Sequence, residues 1–238
     1  MEKGKKIKLY IGLFYFILVS LFLYLFFSKF TLQEITSYDF IKNNRDYFFE
    51  LRQSNLFLLS ILFILFTIIW VIAAGFGSPI AIFGGFIFGK WVGSLLVVLG
   101  LSIGATILYV FANYFLKDLI REKLLDKYQN LESKFKKSEF IYLLFFRFIG
   151  GIPFVIANIL PCIFNVKILN YFGATLIGLL PSIFIVCSVG SGLENIISEN
   201  LESPSLIELV TSKEIYLPII GFFILILASI FARKNFYS

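Results

Sequence analysis

The chain has no histidine, only two cysteines and one methionine, and its charged residues make up just 15% of 238 positions. Without histidine there is no neutral-pH general base of the usual kind, no common metal ligand, and no Ser-His or Cys-His couple. Cys162 and Cys187 both lie in apolar runs, at a spacing that fits neither a zinc site nor a disulfide framework, so they read as small buried hydrophobes. No Gly-x-Gly-x-x-Gly turn or Walker-type Lys-Ser/Thr follows a strand pattern, and no cofactor or metal is expected. Acidic residues are missing throughout residues 56–116, which hold a single base, Lys90. With no paired carboxylates in the apolar regions, an enzyme is the least favoured class.

What fills the chain instead is hydrophobic side chain, at 59%. Soluble domains carry about 25% charged residues, so the composition predicts an all-α polytopic membrane protein. The net charge of +6 comes from Lys and Arg clustered beside apolar runs. That placement indicates topology and contact with anionic headgroups, and no nucleic acid is expected.

Lys3, Lys5, Lys6 and Lys8 precede an apolar run over 9–27, read as a retained transmembrane helix with a cytoplasmic N-terminus. Residues 28–55 balance acids and bases, as suits an outer segment with an amphipathic helix at the surface. The region 56–116 is broken by Gly75-Phe76-Gly77-Ser78-Pro79, and carries small residues four apart at Ala81, Gly85, Gly89 and Gly93, then Gly100 and Gly104. This is a small-xxx-small pattern for close helix packing. Residues 117–138 hold seven bases and read as a cytoplasmic amphipathic linker, whereas 192–214 are rich in glutamate and read as an outer loop. A last span over 215–232 ends at Arg233 and Lys234, again cytoplasmic.

These flanks make both 56–116 and 139–190 cross an odd number of times, in opposite directions. The second region has room for one full span, which needs about 20 residues, plus a re-entrant hairpin. Its half-helices are expected at about 139–149 and 154–165, with a full span from about 168–190; the first region is expected to bend near 75–85 and to span from about 93–116. The predicted fold is therefore two inverted repeats, each a re-entrant helical hairpin plus a full span, with flanking N- and C-terminal transmembrane helices. In domain terms, 1–55 is the N-terminal helix and outer segment, 56–192 the membrane domain, and 193–238 the outer loop and C-terminal helix.

The candidate site lies at the breaks. Arg147 stands inside an apolar stretch, where a charge costs a few kcal/mol and so faces protein or water. The adjacent Gly150, Gly151 and Pro153 interrupt the helix, and non-helical backbone at that depth survives only against protein or a wet cavity. Asn158 is placed to bond a headgroup or carbonyls freed by the break. Ser78 and Pro79 would shape the opposing tip.

At these residues the chain resembles the DedA superfamily, in its VTT-domain (SNARE-associated Golgi protein) branch. Gly85 to Gly93 resembles the family's Gly-x-x-Phe-Gly-x-x-x-Gly element, and Arg147 to Asn158, followed by Phe172 to Thr175 and Gly178-x-x-Pro181, resembles its Arg, Pro-Phe and Asn pattern. The resemblance covers about 56–192. It implies opposed re-entrant hairpins and a role in moving lipids across the bilayer, as phospholipid scrambling or transport of polyprenyl phosphate, in a bacterial plasma membrane. Two features depart from the pattern: Asn113 stands where many members carry arginine, and the first hairpin lacks the acids of members proposed to couple transport to protons.

The leading expectation is a lipid translocator binding phosphate headgroups through Arg147, Asn158, Pro153, Gly150, Gly151, Ser78 and Pro79. The alternatives are an ion-coupled transporter of a small solute and a structural membrane factor that transports nothing. The glycine pattern leaves a homo-oligomer open.

Overall fold

A computed structural model describes residues 38–73, 75–115, 117, 138–149 and 154–198, with separate positions between 10 and 28 and between 207 and 227. The expected terminal spans thus fall largely, and the basic linker almost entirely, outside the described residues, as do Gly150, Gly151 and Pro153. Among the described residues there is no strand. The helices are α1 (Tyr38–Ser54), α2 (Leu56–Ile72), α3 (Gly77–Phe115), α4 (Glu139–Ile149), α5 (Phe154–Ile159), which continues into a 3-10 turn over Leu160–Phe164, and α6 (Ile168–Ser198).

Chain breaks rather than loops shape the first half. Asn55 accepts a hydrogen bond from Leu58 N at 2.9 Å, capping α2, and α1 and α2 diverge there by 117°. The amphipathic α1 then lays Phe48 against Phe83 and Phe49 against Phe86, at ring separations of 5.1 and 6.3 Å. At the end of α2, Gly75 N donates to Trp70 O at 2.8 Å. The indole closes over this turn, with Trp70 Nε1 donating to Phe76 O at 2.8 Å. A β-carbon at position 75 would collide with that indole, so only glycine fits.

A second break divides α3 at Gly89, whose φ of 76° and ψ of 168° belong to glycine's own territory. Residues 84 and 93 would lie about 13 Å apart along a straight helix. A β-carbon on Gly93 would instead meet Gly84 O at 2.5 Å, so the arms 77–88 and 90–115 fold against each other. The expected glycine stripe is accordingly not one face of one helix: the chain reverses in its middle. Arg52 of α1 donates from Nη1 to Ile87 O at 3.0 Å, occupying a carbonyl just before the reversal.

Glycine contacts also give the directions of packing. A β-carbon at Gly100 would lie 2.7 Å from Thr67 and one at Gly104 2.8 Å from Val71, so the arm 90–115 runs parallel to α2. In the second half, Gly173 lies against Phe140 and Gly178 against Arg147, so α6 runs parallel to α4. Between halves, Gly85 meets the Cys187 backbone and Gly190 meets Ile82 O, while Tyr109 stacks on Tyr171 with centroids 4.3 Å apart. Trp91 packs on Phe184 with centroids 4.7 Å apart, so along the arm 90–115 the numbers rise as those of α6 fall, and that arm is antiparallel to α6. Val97, Leu101, Ala105, Leu143 and Ala174 fill the core between them, each fully buried.

Two described helices, Gly77–Phe115 and the stretch Ile168–Asn195 of α6, are long and apolar enough to cross a bilayer. At 1.5 Å per residue the arm 90–115 reaches about 39 Å, but the arm 77–88, α4, and α5 with its 3-10 turn each reach only about 16–18 Å, short of a core about 30 Å thick. Phe57, Trp91, Leu95, Ile107, Leu169 and Ile177 are exposed around this bundle, as lipid-facing side chains would be. Helix α6 runs past the expected end near 190 to Ser198, because Ile197 is buried and Glu194 is held at 2.8 Å by Arg45 of α1.

Candidate functional site

Arg147 sits in the last turn of α4, beneath the small Gly178 of α6, and is 4% exposed. Its partners are hydroxyls one helical turn apart on α6: Nε donates to Thr175 Oγ1 at 3.2 Å, and Nη2 to Tyr171 Oη at 2.6 Å. The guanidinium carbon lies 5.3 Å from the centroid of the Tyr171 ring and 6.0 Å from that of Phe154. Among the described residues no carboxylate pairs with Arg147, and its Nη1 has no hydrogen-bond partner. A buried cation held only by neutral oxygens is costly unless an anion joins it.

A cavity of about 330 Å³ lies between the two halves, with Gly77, Ser78 and Leu101 on one side and Arg147, Phe154 and Ser182 among the residues opposite. Ser78, Arg147 and Ser182 are its polar lining; the remainder is apolar or glycine. Ser78 belongs to the first turn of the arm 77–88, whose backbone N–H groups have no helical partners at that end. Helix starts of this kind favour anions.

The sequence-predicted residues therefore separate. Arg147 and Ser78 line one cavity although 69 positions apart. Pro79 is exposed and does not line it. Asn158 is wholly buried with both carboxamide atoms unpartnered, and is likewise outside the lining. Its backbone carbonyl accepts from Tyr171 Oη at 3.1 Å. Gly150, Gly151 and Pro153 lie outside the described residues. Sequence reasoning passed over Tyr171, Thr175 and Ser182, though Tyr171 and Thr175 form a polar pair four apart in an otherwise apolar span, a pattern that places both on one face.

Apolar helices long enough to cross a bilayer, with a buried cation beside a cavity, define a helical membrane protein. Residues 75–192 match the family described as the VTT domain, and the chain belongs to that family. It is 31% identical over 114 residues to the uncharacterized protein YqeD of Bacillus subtilis, covering 47% of this chain and 55% of that one. It is also similar to the transmembrane protein 41 homologs of Caenorhabditis elegans, at 26% identity over 54% of this chain and 55% of the relative, and of Dictyostelium discoideum, at 27% over 55% and 41%. The chain spans about half the length of the curated relatives it matches. No solved structure matches it.

Proposed function

We propose that this protein is a lipid translocator: it carries phosphate-bearing headgroups, of phospholipids or a polyprenyl phosphate, between leaflets, with no covalent step. The two halves act as inverted repeats, and the short legs on either side of each break, α2 with 77–88 and α4 with 154–164, act as re-entrant hairpins whose tips meet at the cavity. Supporting this, each pair of legs is tied at its open end. Arg52, just before α2, bonds Ile87 O at the far end of the first pair; Glu139, at the start of α4, accepts from Lys167 N and Asn170 Nδ2 at 3.1 and 2.8 Å, just after the second.

The observation that carries the proposal is Arg147, a buried cation lining the cavity, with neutral partners and an Nη1 that is buried without a partner among the described residues. A headgroup phosphate supplies the missing counter-charge, and the planar guanidinium suits its oxygens. Ser78 and the helix start at Gly77 receive the oxygens that face away from Arg147. The mostly apolar lining and the lipid-facing helices around it favour a substrate whose tails stay in hydrocarbon over a free solute. The resemblance to the VTT-domain family suits the plasma membrane of a bacterium, and the basic flanks of the sequence favour both termini on the cytoplasmic side.

Leaflet exchange of a fluorescent phospholipid and of a polyprenyl phosphate in proteoliposomes tests this directly. Exchange should occur for at least one of the two and fall to background in Arg147→Ala, with the variant still inserted and monodisperse. Undiminished exchange by Arg147→Ala overturns the assignment. No exchange by folded wild-type protein, with or without an ion gradient, returns the small-solute and structural alternatives.

A further inference from the structure

We infer that Tyr171 and Thr175 are positioning residues that hold the Arg147 guanidinium by one edge without neutralising it; the inference rests on Arg147 being the anion site. A carboxylate in their place would fix the group equally well but would cancel the charge an anionic headgroup must meet. Two hydroxyls fix it and leave the charge available.

The geometry makes the hold directional. Tyr171 has one O–H, and it donates that hydrogen to Asn158 O at 3.1 Å. Its lone pairs are therefore what face Arg147 Nη2 at 2.6 Å. The ring cannot swing away, because it lies nearly parallel to Tyr109 at 13° and 4.3 Å, and Tyr109 is itself anchored by donating to Val166 O at 2.6 Å. Thr175, one turn further along α6, takes Nε at 3.2 Å. With the Nε and Nη2 side held, Nη1 is the nitrogen left over: it is buried and has no hydrogen-bond partner among the described residues, so a ligand would reach it by displacing what covers it. Tyr171, Tyr109 and Thr175 are all buried to 0% exposure, so water does not compete for these bonds.

Four variants in phosphatidylcholine vesicles containing fluorescent polyprenyl phosphate decide the matter: Tyr171→Phe, Thr175→Val, Thr175→Ser and Arg147→Ala. Exchange is measured across a range of mole fractions to separate half-saturation from maximal rate. Losing one bond to the cation should raise the half-saturating fraction about tenfold in Tyr171→Phe and in Thr175→Val. Thr175→Ser, which keeps the hydroxyl, should behave as wild type.

Wild-type half-saturation in both Tyr171→Phe and Thr175→Val, with Arg147→Ala inactive, overturns the positioning role and leaves the anion site standing. Full exchange by Arg147→Ala removes the anion site itself, and the positioning role falls with it. Should Tyr171→Phe fail to fold, the contrast of Thr175→Val with Thr175→Ser decides alone.

Discussion

The halves 56–115 and 139–198 pack by the same rule yet differ in one place, and the difference locates the chemistry. In each, a glycine of the long helix sits on the helix that precedes the break: Gly100 on Thr67 in the first half, Gly178 on Arg147 in the second. Thr67 closes on itself, its hydroxyl donating to Phe63 O at 2.8 Å within α2, and asks nothing of its surroundings. Trp70 likewise serves its own turn through Phe76 O. Arg147 instead reaches across to α6 and keeps a nitrogen unpaired. At this position the first half is sealed on itself, and it supplies a wall and a helix start, whereas the second holds an unbalanced charge.

The largest effect should come where the halves meet, since neither works without the other. Valine at Gly190 would drive its β-carbon into Ile82 O, and at Gly85 into the Cys187 backbone. Backbone cannot move aside as a side-chain tip can, and overpacking of this kind costs about 3 kcal/mol or more. Neither variant should yield monodisperse protein by size-exclusion chromatography in detergent. Gly89→Ala makes the control: nothing lies within 4 Å of its β-carbon, so only the positive φ opposes it, at about 1–3 kcal/mol.

Next in size is the functional contrast itself. Arg147→Met replaces a buried cation by an apolar chain of similar length, a change that is often neutral or stabilising. We expect the thermal midpoint to hold or rise while lipid exchange falls at least a hundredfold. Thr67→Val, at the corresponding place in the first half, removes only a local hydroxyl bond and should leave exchange within about twofold and stability within about 1 kcal/mol. Equal losses from both variants would dissolve the distinction between a sealed half and a charged one.

Much of this arrangement is written in breakers. Gly75 to Pro79 and Gly150 to Pro153 are dense enough in glycine and proline to mark the helix ends, and the expected half-helices at 139–149 and 154–165 match α4 and α5 with its 3-10 turn. Arg147 announces itself as a charge among apolar residues. The reversal at Gly89 was hidden because six small residues at near-regular spacing look alike, and only backbone angles distinguish the one that bends from those that pack. Tyr171 and Thr175 were hidden for a different reason. Either residue is ordinary in a membrane helix, and their role exists only once α4 brings Arg147 against them, a tertiary fact absent from local pattern. The length of α6 was underestimated because the first glutamates suggested an outer loop, whereas the helix runs on to Ser198 and Glu194 meets Arg45.

The smallest expected effect tests whether the amphipathic α1 belongs to the sealed half or couples the two. Arg45 joins Glu194 of α6 at 2.8 Å and lies 4.6 Å over the Phe49 ring, while Arg52 bonds the first half at Ile87 O. One helix thus touches both halves at a single end of the bundle. The Arg45 and Glu194 side chains remain 24% and 18% exposed, so their pair is worth at most about 1 kcal/mol and is screened by salt. Glu194→Gln should lower the thermal midpoint by no more than a few degrees, with a difference from wild type that shrinks at high ionic strength, and should leave lipid exchange unchanged. A change in exchange larger than the change in stability would show that the separation of the halves at that end is part of the transport cycle, and that α1 sets it.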